Sequence, residues 1–171
     1  VEESLAEHLL WQLTMSVTSE DDYAIGEAII GNIDDDGYLT VSVEEIADAL
    51  ERDVAEVERV LQLIQTFEPT GVGARDLREC LLIQIRQLGL EDTIAYKIVE
   101  DNYLEDLEAN RFPQIAKNLG IDMELVREAA NAIASLEPRP GRQFSSYKPE
   151  YVIPDVTVEK IDGEYKVFMN D

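Results

Sequence analysis

Apolar residues recur three and four positions apart through most of the chain, the spacing that lines one face of an α-helix. Leu5, Leu9, Leu10, Leu13 and Val17 form a first stripe. Ile25, Ile29, Ile30 and Ile33 form a second, behind Ser19 as a cap with acids in its first turn. Ser42 is placed to cap a short helix carrying Ile46, Ala47 and Leu50, and Asp53 a longer one with Val57, Val60, Leu61 and Ile64. Pro69, Gly71 and Gly73 break the pattern. A second set of helices follows over 75–88, 91–109, 113–119 and 122–136, and Pro138, Pro140 and Gly141 close it in the same way.

The two sets read as one unit written twice. Leu5-x-Glu7-x-Leu9-Leu10-x-Gln12-Leu13 matches Leu77-x-Glu79-x-Leu81-Leu82-x-Gln84-Ile85 at an offset of 72. At an offset of 69, Ile25, Ile29 and Ile30 fall on Ile94, Ile98 and Val99. The same offset pairs Ile46, Ala47, Leu50, Asp53, Val57, Ile64, Glu68 and Pro69 with identical residues, from Ile115 to Pro138. Helical sequences share periodicity by default, so the polar matches and the repeated Glu-Pro exit carry the reading. From Tyr151 the period changes. Val152–Val158 and Tyr165–Phe168 favour strands, and Asp162-Gly163 between them signals a hairpin. The expected fold is therefore all-α: two small helical bundles, a duplicated four-helix unit with helix-turn-helix-like pairs, and a short C-terminal β-hairpin extension. The expected division is 1–70 for the first subdomain, 71–142 for the second, and 143–171 for an extended segment and hairpin.

Each half ends on a helix-turn-helix look-alike: Ile46-Ala47-x-x-Leu50 leading to Val57, and Ile115-Ala116-x-x-Leu119-Gly120 leading to Val126. A groove-reading helix needs Arg, Lys, Asn or Gln on its exposed face. Here the second helices carry Glu56, Glu58 and Arg59, or Glu124, Arg127 and Glu128. Acids there would face phosphates, which favours packing units over DNA readers, with a helix-turn-helix DNA-binding regulator as the alternative.

Charge sharpens this. The net charge is -23, from 37 acidic against 14 basic side chains. Residues 1–51 hold fourteen Asp and Glu and no Lys or Arg, the first base being Arg52. Such a surface repels phosphate backbones and is attracted to a basic partner. A solubilising surface without a partner is the other reading, and acidity alone does not separate the two. The chain opens on Val1, as a fragment or processed chain does, and its start has no signal-peptide pattern. No apolar run reaches the roughly 18 residues of a membrane span, and the single Cys80 fits a reducing cytoplasm.

Asn32–Leu39 resembles the start of an EF-hand loop. Asp34, Asp36 and Gly37 occupy its third, fifth and sixth positions, but Asn32 stands at the first and Val43 at the twelfth, where a bidentate Glu belongs. A tight acidic turn around Gly37 explains the same residues, so no metal is expected, and an EF-hand-like calcium-binding module stays as a further alternative. No catalytic constellation stands out. His8 flanks an apolar stripe, Cys80 sits inside one, and no glycine-rich phosphate loop with its lysine occurs. Neither enzymatic activity nor a cofactor is expected.

The segment from Phe67-Glu68-Pro69-Thr70-Gly71-Val72-Gly73-Ala74-Arg75-Asp76-Leu77-Arg78 to Gln84 closely resembles the sigma-54 (RpoN, sigma-N) family of bacterial RNA polymerase sigma factors. Leu5–Leu13, Ile33–Leu39 and Leu136–Arg142 resemble further signatures of that family, in its order. The resemblance implies a core-binding domain, an all-helical pair of subdomains that docks the factor on core RNA polymerase for transcription initiation. It also implies that promoter DNA is reached only through regions absent from this chain, and the activator ATPase only through the full-length factor. The resemblance is densest at the first Pro–Gly exit, where several of the few bases also gather. The candidate polymerase contacts are therefore Phe67, Pro69, Gly71, Gly73, Arg75, Asp76, Arg78 and Arg86, with Arg139 and Arg142 as a second surface near Lys148. The alternative is that this segment only joins the two bundles.

Overall fold

The computed structural model describes residues 4–145, so the expected hairpin and Lys148 lie outside the described residues. Within that span the chain is helical. Its first run is α1 (Leu5–Ser16), α2 (Glu20–Ile30), α3 (Val43–Leu50) and α4 (Val54–Ile64). Its second is α5 (Leu77–Gln87), α6 (Ile94–Glu100), α7 (Leu104–Glu108), α8 (Phe112–Leu119) and α9 (Met123–Ala134), followed by the short α10 (Arg142–Ser145). No sheet occurs among the described residues, only isolated bridges between Ile33 and Leu39 and between Tyr38 and Ala74.

Polar side chains start the helices by satisfying N–H groups that have no partner inside the helix. The Ser4 hydroxyl accepts the Glu7 N–H at 3.1 Å while the Glu7 carboxylate accepts the Ser4 N–H at 2.9 Å. Ser42 and Glu45 form the same reciprocal box at α3. Ser19, Asp76 and Thr93 cap α2, α5 and α6 with one bond each. Asp53, expected to cap α4, holds the extended backbone of a cap, but its side chain makes no capping bond.

The apolar stripes bury into two cores. α2 packs on α1, α3 and α4, enclosing Leu9, Leu13, Ile25, Ile29, Val57, Leu61 and Ile64. In the second run α6 packs on α5 and α9, and α8 on α9, around Leu82, Ile98, Val99, Ile115 and Val126. Full burial of a side chain of this size is worth about 1.5–3 kcal/mol. Gly26 lets α1 and α2 approach, since a Cβ there would stand 2.6 Å from the Leu13 methyls. Across the first core, Asp21 and Asp22 of α2 bind Arg52 at 2.7 Å and Arg59 of α4 at 2.8 Å. Hydrogen bonds from those guanidiniums hold both carboxyls below their ordinary pKa.

Two expectations are corrected. The single helix expected over 91–109 is two, α6 and α7, because Asn102 takes a left-handed backbone at φ 69° between them. Residues 143–145, expected as extended chain, complete the helical turn α10. The helix-turn-helix look-alikes are α3–α4 and α8–α9. Each turn passes through a left-handed residue, Glu51 at φ 57° and Gly120 at φ 69°.

Candidate functional site

The two Pro–Gly exits meet on the acidic loop between α2 and α3. That loop is a tight turn: Asp34 Oδ1 accepts the N–H groups of Asp36 and Tyr38, both at 3.0 Å, and Gly37 takes φ 100°. On one side the Gly73 N–H donates to the Gly37 carbonyl at 2.8 Å, and the Leu39 N–H to the Ala74 carbonyl at 2.9 Å. On the other, the Gly141 N–H donates to the Asp36 carbonyl at 2.9 Å, the Tyr38 hydroxyl to the Pro138 carbonyl, and Arg142 Nε to the Asp36 carboxylate. A Cβ on Gly141 would clash with the Asp35 carbonyl oxygen and stand 2.8 Å from the backbone of Asp36 and Gly37. Burial lifts the Tyr38 phenol above its ordinary pKa, and neighbouring Cys80, Asp36 and Asp34 add to the effect.

This arrangement accounts for the EF-hand-like pattern. The Asp34 carboxylate braces its own turn and that of Asp36 holds Arg142. Among the described residues no group of three or more His, Cys, Asp or Glu is placed to hold a metal ion.

Each exit is pinned by a glutamine from the first helix of its own half. The Gln12 amide donates to the Glu68 carbonyl at 2.7 Å and accepts the Glu68 N–H at 2.9 Å. The Gln84 amide does the same with Glu137, at 2.6 and 2.9 Å. The exits face each other across a cleft of about 320 Å³ lined by Glu68, Pro69, Gln84, Glu137, Arg139 and Pro140.

Against this frame the candidate contacts separate into distinct environments. Phe67, Pro69, Gly71 and Gly73 are buried, and form a joint instead of an open surface. Gly71 lies at φ 101°, where a Cβ would stand 2.9 Å from Cys80 Sγ. Arg75 reaches Glu79 at 2.6 Å and Glu58 of α4 at 3.1 Å, tying the first run to the second. Those hydrogen bonds raise the Arg75 pKa. Burial pushes the Glu79 carboxyl up, but bonds from the Arg75 guanidinium and backbone N–H outweigh it, and its pKa lies below the ordinary value. The Asp76 carboxylate caps α5, accepting the Glu79 N–H at 2.8 Å.

The remaining bases do not form one patch. Arg78 donates to the Glu100 carbonyl at 2.8 Å, and its Nε is buried without an acceptor. Arg86 lies over the Tyr96 ring at 5.7 Å and bonds its hydroxyl, so both arginines are laid against α6. Arg139 is exposed on the cleft lip, and its guanidinium has no partner among the described residues. Sequence reasoning missed the roles of Gln12, Gln84 and Tyr38. The recurrence of Gln and of Glu-Pro in both halves was the signal for the first two.

The described residues form an all-helical module whose two cores meet at this junction. The profile of the family described as "Sigma-54 factor, core binding domain" matches residues 1–171. The chain is 42% identical to the RNA polymerase sigma-54 factor of Azotobacter vinelandii, over 98% of this chain and 35% of that protein. It is 41% identical to that of Salmonella typhimurium and 39% to that of Escherichia coli, each over 98% of this chain and 36% of the relative. The crystal structure of Aquifex aeolicus sigmaN bound to promoter DNA superposes with a TM-score of 0.53, covering 94% of this chain and 44% of that one. At 24% identity that likeness speaks for the fold alone. The chain belongs to the sigma-54 factor family as its core-binding domain, and spans about a third of the length of the relatives it matches.

Proposed function

We propose that this domain docks its sigma factor onto core RNA polymerase, while promoter recognition and response to the activator ATPase belong to parts of the factor outside this chain. The observation that carries the proposal is the family match along the whole chain. Charge supports it: the helices that a DNA-binding regulator would lay in a groove, α4 and α9, present Glu56, Glu58, Glu124 and Glu128, and a net charge of -23 repels a phosphate backbone. Docking needs no catalytic group or cofactor of its own. Among the described residues no helix is long and apolar enough to cross a membrane.

The docking surface in this reading centres on α5 and the two exits. Phe67, Pro69, Gly71 and Gly73 act from within by fixing the joint. Arg75, Asp76 and Arg78 hold α5 in place, and the partner meets Arg86, Arg139 and the neighbourhood of Arg142. The proposed subdomains are 1–70 and 71–142, with 143–171 as a connecting extension; the two cores support a division near this point, with Val72 still packed in the first. We take the two halves as copies of one four-helix unit, with α7 as an additional short helix in the second. Supporting this, α3 and α8 stand 69 residues apart with equal length, Ser4 and Asp76 cap their helices 72 apart, and both glutamine clamps hold the residue before a proline.

The test is charge reversal at positions free of internal ion pairs. Arg86→Glu with Arg139→Glu should weaken retention of the chain on immobilised core polymerase while its helical circular dichroism is unchanged. Equal retention overturns the site assignment. Arg75→Glu is unsuitable, because it places a third carboxylate beside Glu58 and Glu79.

A further inference from the structure

The second half also carries an apolar groove that touches the junction at Pro138. It is about 610 Å³, open to solvent, and runs between α5, α7 and α9. Its floor and walls include Leu77, Leu81, Leu104, Leu107, Phe112 and Leu136. Leu77, at the first turn of α5, is 43% exposed, although the position is the copy of Leu5, which is packed against the first core. Exposed apolar surface gathered in one concavity marks a binding site more reliably than scattered exposed leucines.

The charged residues lining the groove are both acids. Glu105 and Glu108 stand one turn apart on α7, exposed, and neither pairs with a base among the described residues. The nearest base in sequence, Arg111, is committed to Asp106 at 2.8 Å. An occupant must therefore present apolar side chains to the floor and positive charge to the α7 lip. It is not an added strand, since the described residues have no sheet edge to pair with. The mode that suits an apolar groove between helices is an amphipathic helix laying anchors at i, i+3 or i+4 and i+7 into the concavity.

We infer that the groove between α5, α7 and α9 receives a basic amphipathic helix of core RNA polymerase, with its apolar face against Leu77, Leu104 and Phe112 and Lys or Arg residues against Glu105 and Glu108. This rests on the docking role proposed above and gives that role a specific seat, distinct from the cleft that carries Arg139 but adjoining it along residues 136–140.

Core polymerase binding by the 171-residue chain is the measurement. Three variants serve: Glu105→Lys with Glu108→Lys, Glu105→Gln with Glu108→Gln, and Leu77→Ser. All change exposed positions, and each is checked for native helicity and an unshifted urea midpoint. The double lysine variant should lose affinity about tenfold, the double glutamine variant less, and Leu77→Ser several-fold, as expected for charge complementarity around an apolar anchor. Affinity equal to the unsubstituted chain in all three, with the fold intact, overturns the inference while leaving the docking role standing. A loss confined to Leu77→Ser overturns the basic occupant. No binding by the unsubstituted chain, with its fold intact, overturns both the inference and the role on which it rests.

Discussion

The side-chain amide of Gln84 closes both of its hydrogen-bonding edges on the backbone of Glu137. Its Nε2 donates to the carbonyl at 2.6 Å, and its Oε1 accepts the N–H at 2.9 Å. Gln84 is 7% exposed, and Nε2 also approaches Cys80 Sγ at 3.3 Å. Gln12 holds Glu68 through the same pair of bonds in a more exposed setting. Truncating Gln84 to Ala strands a backbone donor and acceptor in a part-buried site. The expected loss is about 2–4 kcal/mol of unfolding free energy, against about 1 kcal/mol for Gln12→Ala, where water replaces the amide. Urea unfolding followed by circular dichroism measures both. Equal losses would show that burial does not distinguish the two clamps.

The close approach of Gly141 to the Asp35–Gly37 backbone predicts a steric cost. Gly141→Ala drives a methyl into backbone that cannot rotate away, and should destabilise by about 2 kcal/mol. Gly120→Ala is the control. Its φ of 69° strains an alanine, but nothing lies within 4 Å of the new methyl. A loss of about 1 kcal/mol is expected there, from backbone strain alone. Thermal unfolding of the two variants side by side checks the ordering.

Acid sensitivity follows from Glu79. A carboxyl with a depressed folded pKa stabilises the fold above its ordinary value, 4.5, and that contribution disappears as pH falls through the folded value. Asp21 and Asp22 act in the same direction. Unfolding free energy should therefore decline as pH drops below about 4.5, the ordinary Glu range. Glu79→Gln should cost about 1–2 kcal/mol at neutral pH and make the decline shallower. Parallel slopes for the two proteins would remove Glu79 from the account.

Cys80 is the one cysteine of the chain and is fully buried, with burial raising its thiol pKa. A disulfide reagent such as DTNB should label it only as fast as the second half opens. Labelling should be complete at once in denaturing urea and slow in buffer. Gln84→Ala should accelerate it, since Gln84 and the Glu137 carbonyl cover the thiol. Rapid labelling of the native chain would contradict the packing of this joint.

Most of the helices were legible because they bury a stripe at helical spacing, and the serine caps at Ser19 and Ser42 are local signals. The break at Asn102 was not. Apolar residues continue across it at Ile98, Val99, Tyr103 and Leu104, so periodicity saw one helix where a single left-handed asparagine divides two. Asn tolerates that backbone at small cost and leaves no other mark. The candidate site was legible as motif and not as geometry. Gln12 and Gln84 were visible as repeated letters, but their partners lie 56 and 53 residues away, a separation that no local pattern encodes. Phe67, Pro69, Gly71 and Gly73 stood out as a motif, and the structure buries all four. Such a stretch needs glycine where segments touch, as at Gly71 against Cys80.

The central claim, that this acidic helical domain holds polymerase and not DNA, is tested most directly by equilibrium binding of the same labelled chain to purified core RNA polymerase and to a free promoter duplex, across a series of salt concentrations. Saturable binding to polymerase that weakens as salt rises, with no binding to the duplex, is the predicted result. Retention of the duplex with no affinity for polymerase would contradict it.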